Sequence, residues 1–243
     1  MAKLVQKSGY IKSEKAGGYM KYIATREGVE MLTGNGPVTN SQQELIQKLL
    51  HDFPDAVELF EYEDYRKAPT LGTASAFITM ALDANLHEIN SESGYMSYIA
   101  TRPRVERRGT HGLFSSAAAV DLDAAMSELE AHDGNVWTII YSLRREDAAR
   151  LGYDNAEAWR ALLMMHAQDL AKAMKIPADH FRWYAAFHNE GHHPHIHMMV
   201  WSDDSKEGFL TREGIAAMRS KLTNTIFRDE MIQIYERKDV AYK

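Results

Sequence analysis

Two runs near the C-terminal end of the chain constrain its fold more than anything else in it. "FRWYAAFH" (181–188) and "HIHMMVWS" (195–202) are rich in aromatic and apolar residues, and the six residues between them include Gly191 and Pro194. Runs of this length and content read as strands, and the glycine and proline forbid one helix running through. The pair is therefore expected to fold back on itself as an antiparallel hairpin. In a strand, His195 and His197 point to one face, while Ile196 and Met198 point to the other, toward a core. The hairpin brings His188, at the end of the first run, alongside them.

Five of the eleven histidines fall within the ten positions 188–197. Such a cluster is either a ligand set or a solvated loop that happens to be rich in histidine. Three imidazoles on one patch of a rigid sheet suit a divalent transition metal and leave positions open for substrate or water. His188, His195 and His197 are the expected ligands. His192 and His193 fall in the turn as spare candidates, and Glu190 could orient a ligand imidazole. The candidate ions are Mn2+ and Mg2+, with Zn2+, Ni2+ and Co2+ as alternatives.

The remaining pattern places this hairpin in an α+β frame. "KLVQKSGYIK" (3–12) and "NVWTIIYSL" (135–143) read as further strands. Helices are expected over "NSQQELIQKLLHDF", with Ser41 and Glu44 at capping-box spacing, over 57–66 and 71–86, and over "DLDAAMSELEAH", closed by Gly134. "NAEAWRALLMMHAQDLAKAMK" reads as one long helix, and the chain is helical again from about Thr211. The expectation is an antiparallel sheet with helices on one face. No Pro/Ser-rich linker divides the chain, so residues 1–243 read as a single domain with a helical insertion over about 40–132. The helical pattern at the end of the chain suggests the N-terminal part of a longer protein.

Cysteine is absent, which excludes disulfides, thiolate metal sites and cysteine nucleophiles and suits a reducing cytoplasm. No signal-peptide core and no stretch near 18 apolar residues is present. The formal charge of −6 argues by itself against a nucleic-acid partner. A local basic face can nevertheless coexist with acidic helices, and "RPRVERR" (102–108) is the densest basic run.

One segment is repeated. "GYMKYIATREGVE" (18–30) recurs as "GYMSYIATRPRVE" (94–106), with ten identities in thirteen positions. A duplicated packing helix would explain it. So would a duplicated tyrosine motif, with Tyr19 and Tyr22 matched by Tyr95 and Tyr98.

Two familiar zinc patterns fail. H-E-x-x-H is missing and needs a helix that Gly191 and Pro194 forbid. "HNE" mimics the deaminase H-x-E, whose cysteine ligands this chain lacks. A three-histidine hydrolase stays open on local chemistry alone.

"HNEGHHPHIH" resembles the signature of the HUH-type relaxases, H-x-(D/E)-x-x-x-P-H-x-H, with His188, Glu190, Pro194, His195 and His197 all in place. "EKAGGYMKYIATREG" is similar to the segment that carries the nucleophile in mobilisation relaxases, with Tyr22 at that position. "SLRREDAARLGYDNAEAW" and "RWYAAFHNEGHHPHIHMMVWS" look closest to MobP-type relaxases of Gram-positive bacteria. The resemblance implies the HUH endonuclease fold and metal-dependent nicking of one DNA strand at an origin of transfer. Tyr22 would attack a phosphate, giving a 5′-phosphotyrosyl link and a free 3′-hydroxyl, and reversal would rejoin the strand. Tyr19 could assist or replace it, and Tyr95 and Tyr98 are further alternatives. The implied partners are single-stranded or supercoiled origin-of-transfer DNA, accessory mobilisation proteins and a type IV secretion coupling protein, in a bacterial cytoplasm.

A DNA groove needs basic residues, and the candidates are Lys21, Arg26, Arg102, Arg104, Arg107, Arg108, Arg144 and Arg145. Trp183 and Tyr184 read as core rather than as base-stacking groups. Two rivals remain. A rolling-circle initiator or single-tyrosine transposase would place its tyrosine after the histidines, where Tyr235 and Tyr242 lie. A non-catalytic module would use the metal only structurally to bind DNA.

Overall fold

The computed structural model describes residues 2–10, 34–85, 92–101, 104–189, 193–228 and 230. Its centre is a five-stranded antiparallel sheet in the order β1-β3-β5-β4-β2, formed by β1 (Val5–Tyr10), β2 (Leu113–Phe114), β3 (Trp137–Ser142), β4 (Phe181–His188) and β5 (His195–Ser202). The hairpin expected from the sequence forms with the expected bounds. It occupies the middle of the sheet, with β5 flanked by β3 and β4.

Among the described residues the helices are α1 (Asn40–Asp52), α2 (Phe60–Lys67), α3 (Leu71–Ala84), α4 (Glu92–Thr101), α5 (Leu122–Glu130), α6 (Arg145–Leu151), α7 (Ala156–Met165), α8 (Ala167–Ala173) and α9 (Arg212–Ile226). None of them is long and apolar enough to cross a membrane. The span 40–132 holds α1 to α5 and also β2, which pairs with β4 through Leu113↔Ala186.

Helices cover both faces of the sheet, not one. Ile139, Tyr141, Trp183, Phe187, Ile196, Met198 and Val200 pack against Trp159, Leu163, Leu170 and Leu222 from α7, α8 and α9. Residues two apart share a face, so Ile140, Ala186, Met199 and Trp201 lie on the opposite side with the histidines. There Ile140 clusters with Leu49 of α1 and Phe77 of α3, with Tyr62 of α2 packed against the same group, and Ala186, Met199 and Trp201 meet Tyr95, Met96, Ile99 and Leu129 of α4 and α5. Apolar residues on both sides of β5 explain why "HIHMMVW" is not a clean alternation of apolar and polar positions.

Three helix ends differ from the sequence expectation. α1 is capped by Thr39, whose hydroxyl accepts from the Gln42 N–H while Gln42 reaches back to the Thr39 N–H, so the capping box sits two residues before Ser41/Glu44. α5 ends at Ala131 in right-handed conformation, and Gly134 has another task. A Cβ there would lie 2.7 Å from the Ser205 Cα, so the loop after β5 needs its close approach. The long helix expected over 155–175 breaks at His166, whose ring ties Asp169 (3.1 Å) to Thr225 of α9 (2.7 Å).

Candidate metal centre

Register alone brings the three histidines together. His188 pairs directly with His195 across β4 and β5, and His197 sits one step along opposite Ala186. Directly paired residues share a face, so all three imidazoles project from the same side. All three are fully buried, their ring centroids lie 4.5 to 5.2 Å apart, and one nitrogen from each falls within 4.8 Å of the others.

The outward nitrogens set the tautomers. His188 Nε2 lies 2.8 Å from the Ile99 carbonyl, and His195 Nδ1 lies 3.2 Å from the His193 carbonyl. A carbonyl only accepts, so each of these nitrogens carries the hydrogen, and the lone pairs are on His188 Nδ1 and His195 Nε2. His197 Nδ1 is 3.0 Å from the Tyr95 hydroxyl, which leaves Nε2 on the far side of the ring. The set fits a cation. Lone pairs gathered in a water-poor pocket repel one another unless a positive charge lies between them, and neutral imidazole is a standard ligand for divalent transition metals. The same wiring, with each ligand's second nitrogen on a carbonyl or hydroxyl, is typical of metal-binding histidines.

α2 walls this side of the centre with charge. His193, in the turn between the two strands, places Nε2 2.8 Å from Asp64 Oδ2 and packs its ring 5.2 Å from Phe60. Arg144 donates to Asp64 (3.2 Å) and Glu63 (2.9 Å), with its guanidinium 4.7 Å over the Phe60 ring. Burial alone would raise the Asp64 carboxyl, but hydrogen bonds from His193 and Arg144 outweigh it and hold the carboxyl below its ordinary range. Hydrogen bonding to Lys67, with the charges of Lys3 and Arg144 nearby, holds Glu63 down to about 2. Glu61 is different: burial pushes its carboxyl up to about 8.

Tyr19, Tyr22, Lys21, Arg26, Arg102, Glu190 and His192 lie outside the described residues. Arg144 serves the α2 carboxylates, and Arg108 pairs with Glu157 at 2.8 Å. Arg104 and Arg107 are exposed. Arg145 donates to the Asn189 side chain at 2.9 Å, beside His188. Tyr95 is buried against His197, and the Tyr98 hydroxyl donates to Asp83 Oδ1 at 3.2 Å. Trp183 is core, as expected, and Tyr184 is half-buried, stacked on Trp201 at 5.6 Å. The link from His193 to Asp64 spans 129 residues of sequence, and no local pattern announces it.

An antiparallel α+β sheet with a buried histidine triad on its two central antiparallel strands defines a histidine-centred, metal-competent domain. The family model of the MobL relaxases matches residues 1–243. The chain belongs to this family, and so to the relaxases, which nick DNA for mobilisation. Nothing among curated proteins or solved structures matches it.

Proposed function

We propose that this chain nicks and rejoins one strand of origin-of-transfer DNA by tyrosine transesterification, and so initiates conjugative mobilisation. The observation that carries the reading is the triad: three buried imidazoles whose ligand nitrogens fall within 4.8 Å of one another, in a chain of the MobL relaxase family. His188 Nδ1, His195 Nε2 and His197 Nε2 would hold a divalent ion, Mn2+ or Mg2+ first and Zn2+, Ni2+ or Co2+ as alternatives. Such an ion supplies Lewis-acid polarisation of the scissile phosphate oxygens.

Tyr22 is the nucleophile of this reading, with Tyr19 as its neighbour. Its phenol oxygen attacks phosphorus, the P–O3′ bond breaks, the phenol proton passes to a base, and the departing 3′-oxygen gains a proton. A 5′-phosphotyrosyl ester and a free 3′-hydroxyl result, and the reverse attack reseals the strand. The environments of Tyr95 and Tyr98 support this choice. The Tyr95 side chain is buried with its hydroxyl on His197, and Tyr98 is committed to Asp83. Glu190 would steady a ligand imidazole. Lys21, Arg26, Arg102, Arg104, Arg107 and Arg145 would meet the phosphate backbone. Arg108 and Arg144 would do so only by leaving their carboxylates. The wider reading includes kinship with MobP-type relaxases of Gram-positive bacteria, a bacterial cytoplasm, accessory mobilisation proteins and a type IV secretion coupling protein.

The test uses single-stranded oligonucleotides tiling the origin region of the element that encodes the chain, incubated with protein and Mn2+. Covalent adducts are separated on denaturing gels and mapped by mass spectrometry. The expected adduct sits on Tyr22 and disappears with EDTA and with His195→Ala. An adduct on another tyrosine overturns the site assignment. Tight DNA binding without any adduct favours a non-catalytic module.

A further inference from the structure

The two copies of the repeat differ at three positions: Lys21 against Ser97, Glu27 against Pro103, and Gly28 against Arg104. The second copy lies against the metal centre through several contacts. Tyr95 meets His197 Nδ1 at 3.0 Å, and the Ile99 carbonyl meets His188 Nε2 at 2.8 Å. Beyond α4 the chain turns at Arg104, which has a φ of 69°. The Arg104 carbonyl then accepts from the Asn189 N–H at 3.0 Å, the Glu106 N–H donates to the Phe187 carbonyl at 2.9 Å, and Val105 bridges to His188.

The difference at residue 103 bears on the Ile99 contact. In a continuing α-helix the carbonyl of residue 99 accepts from the N–H of residue 103. Residue 103 is proline, which has no N–H. No helical donor therefore exists four residues on, and the Ile99 carbonyl accepts from the His188 ring. The first copy carries Glu27 at the matching place in the sequence.

We infer that the second copy of the repeat is an outer clamp for the metal centre, in which Tyr95 positions His197 and the carbonyl of Ile99, released by Pro103, positions His188. The clamp fixes ring direction for two of the three ligands and, through the Ile99 carbonyl, the tautomer of His188. It also divides the repeat's labour: the second copy holds the ligands, and the nucleophile comes from elsewhere. The inference rests on the proposal that the triad holds a metal, and it is tested apart from DNA cleavage.

Co2+ is titrated into the full chain and followed by its visible d–d absorption, and Mn2+ affinity is measured by calorimetry. The variants are Tyr95→Phe, Pro103→Ala and Tyr184→Phe. Tyr184 is a control, because it lies on the same side of the sheet but spends its hydroxyl on Glu128. Tyr95→Phe is expected to weaken metal binding by roughly 10- to 100-fold and to change the Co2+ spectrum, the usual scale for lost outer partners of metal ligands. Pro103→Ala restores a competing N–H donor and should weaken binding less, but measurably. Tyr184→Phe should change thermal stability and leave affinity and spectrum alone. Wild-type affinity and spectrum in Tyr95→Phe would overturn the clamp. If Tyr95→Phe fails to fold, unchanged affinity in Pro103→Ala overturns the Ile99 half of it. A wild-type chain that takes up neither ion would overturn the metal reading itself.

Discussion

His188 and His195 are direct cross-strand partners at the end of the β4/β5 hairpin, with ring centroids 5.2 Å apart, and His197 joins them from the next inward position on β5. The centre is thus a product of strand register. A slip of one residue would move His195 and His197 to the other face.

Replacing a member of this triad should separate metal binding from folding. His195→Ala is expected to remove Mn2+ or Co2+ binding, and with it the rise in melting temperature that a saturating ion gives the wild type. At an ion concentration of 100 times the dissociation constant, that rise corresponds to about 2.7 kcal/mol. Differential scanning fluorimetry with and without metal checks it. An undiminished metal-dependent shift in the variant would remove His195 from the ligand set.

Gly112 is where the turn after α4 closes on itself. Its N–H donates to the Ala100 carbonyl at 2.8 Å, and an added Cβ would collide with Val105 Cγ2 and lie 2.9 Å from the Glu106 carbonyl. Gly112→Ala should displace the 105–106 segment from the edge of β4 and cost about 1–3 kcal/mol, the usual scale of overpacking. Urea denaturation measures this, and metal affinity should fall with it.

Arg104 adopts a left-handed conformation that costs a non-glycine residue roughly 1–2 kcal/mol. Arg104→Gly removes that cost and adds chain entropy to the unfolded state, so stability should stay within about 1 kcal/mol of wild type. If the guanidinium meets a phosphate, the same variant weakens single-stranded DNA binding and lowers the salt slope by about 1. Affinities at several salt concentrations separate the two effects. An unchanged slope removes Arg104 from the DNA groove.

Glu61 makes stability depend on pH in a direction that can be worked out. Its folded value of about 8 lies above the ordinary 4.5 because burial penalises the charged form. Between those values the folded state holds a proton that the unfolded state has released. Stability therefore falls as pH rises through this window, by at most about 1.4 kcal/mol per pH unit. Glu61→Gln has no proton to lose, so its stability relative to wild type should increase from pH 5 to pH 8.5. Thermal melts of both proteins at those pH values decide the matter.

Asp64 works in the opposite sense. Its hydrogen bonds from His193 and Arg144 outweigh burial and hold its carboxyl below 3.8. Its contribution is complete above the unfolded value of about 3.9 and is lost as pH falls through the lower folded value. Asp64→Asn should cost about 1–2 kcal/mol at neutral pH, a sum reduced by the partial exposure of the carboxylate. The difference from wild type should shrink toward pH 3. Denaturant midpoints at both pH values check it.

Local pattern in the sequence determined four of the five strands, most of the described helices and the three histidines that the hairpin brings together. Apolar β-rich runs separated by a turn with Gly191 and Pro194 read as a hairpin, and within a strand the i, i+2 spacing of His195 and His197 puts both on one face. Helix ends were less legible, because Thr39 and Ser41 both satisfy capping chemistry and the choice depends on what α1 packs against. Tertiary structure alone decided that helices cover both faces of the sheet, that Asp64 lies under His193, and that Arg144 faces acids. It also decided that the Tyr95 hydroxyl of the second repeat copy lies 3.0 Å from His197 Nδ1, across 102 positions of sequence. Those contacts join segments far apart in the chain. Their identity follows from how the sheet orders its strands and which helices its two apolar faces bury, and no short window of sequence contains that information.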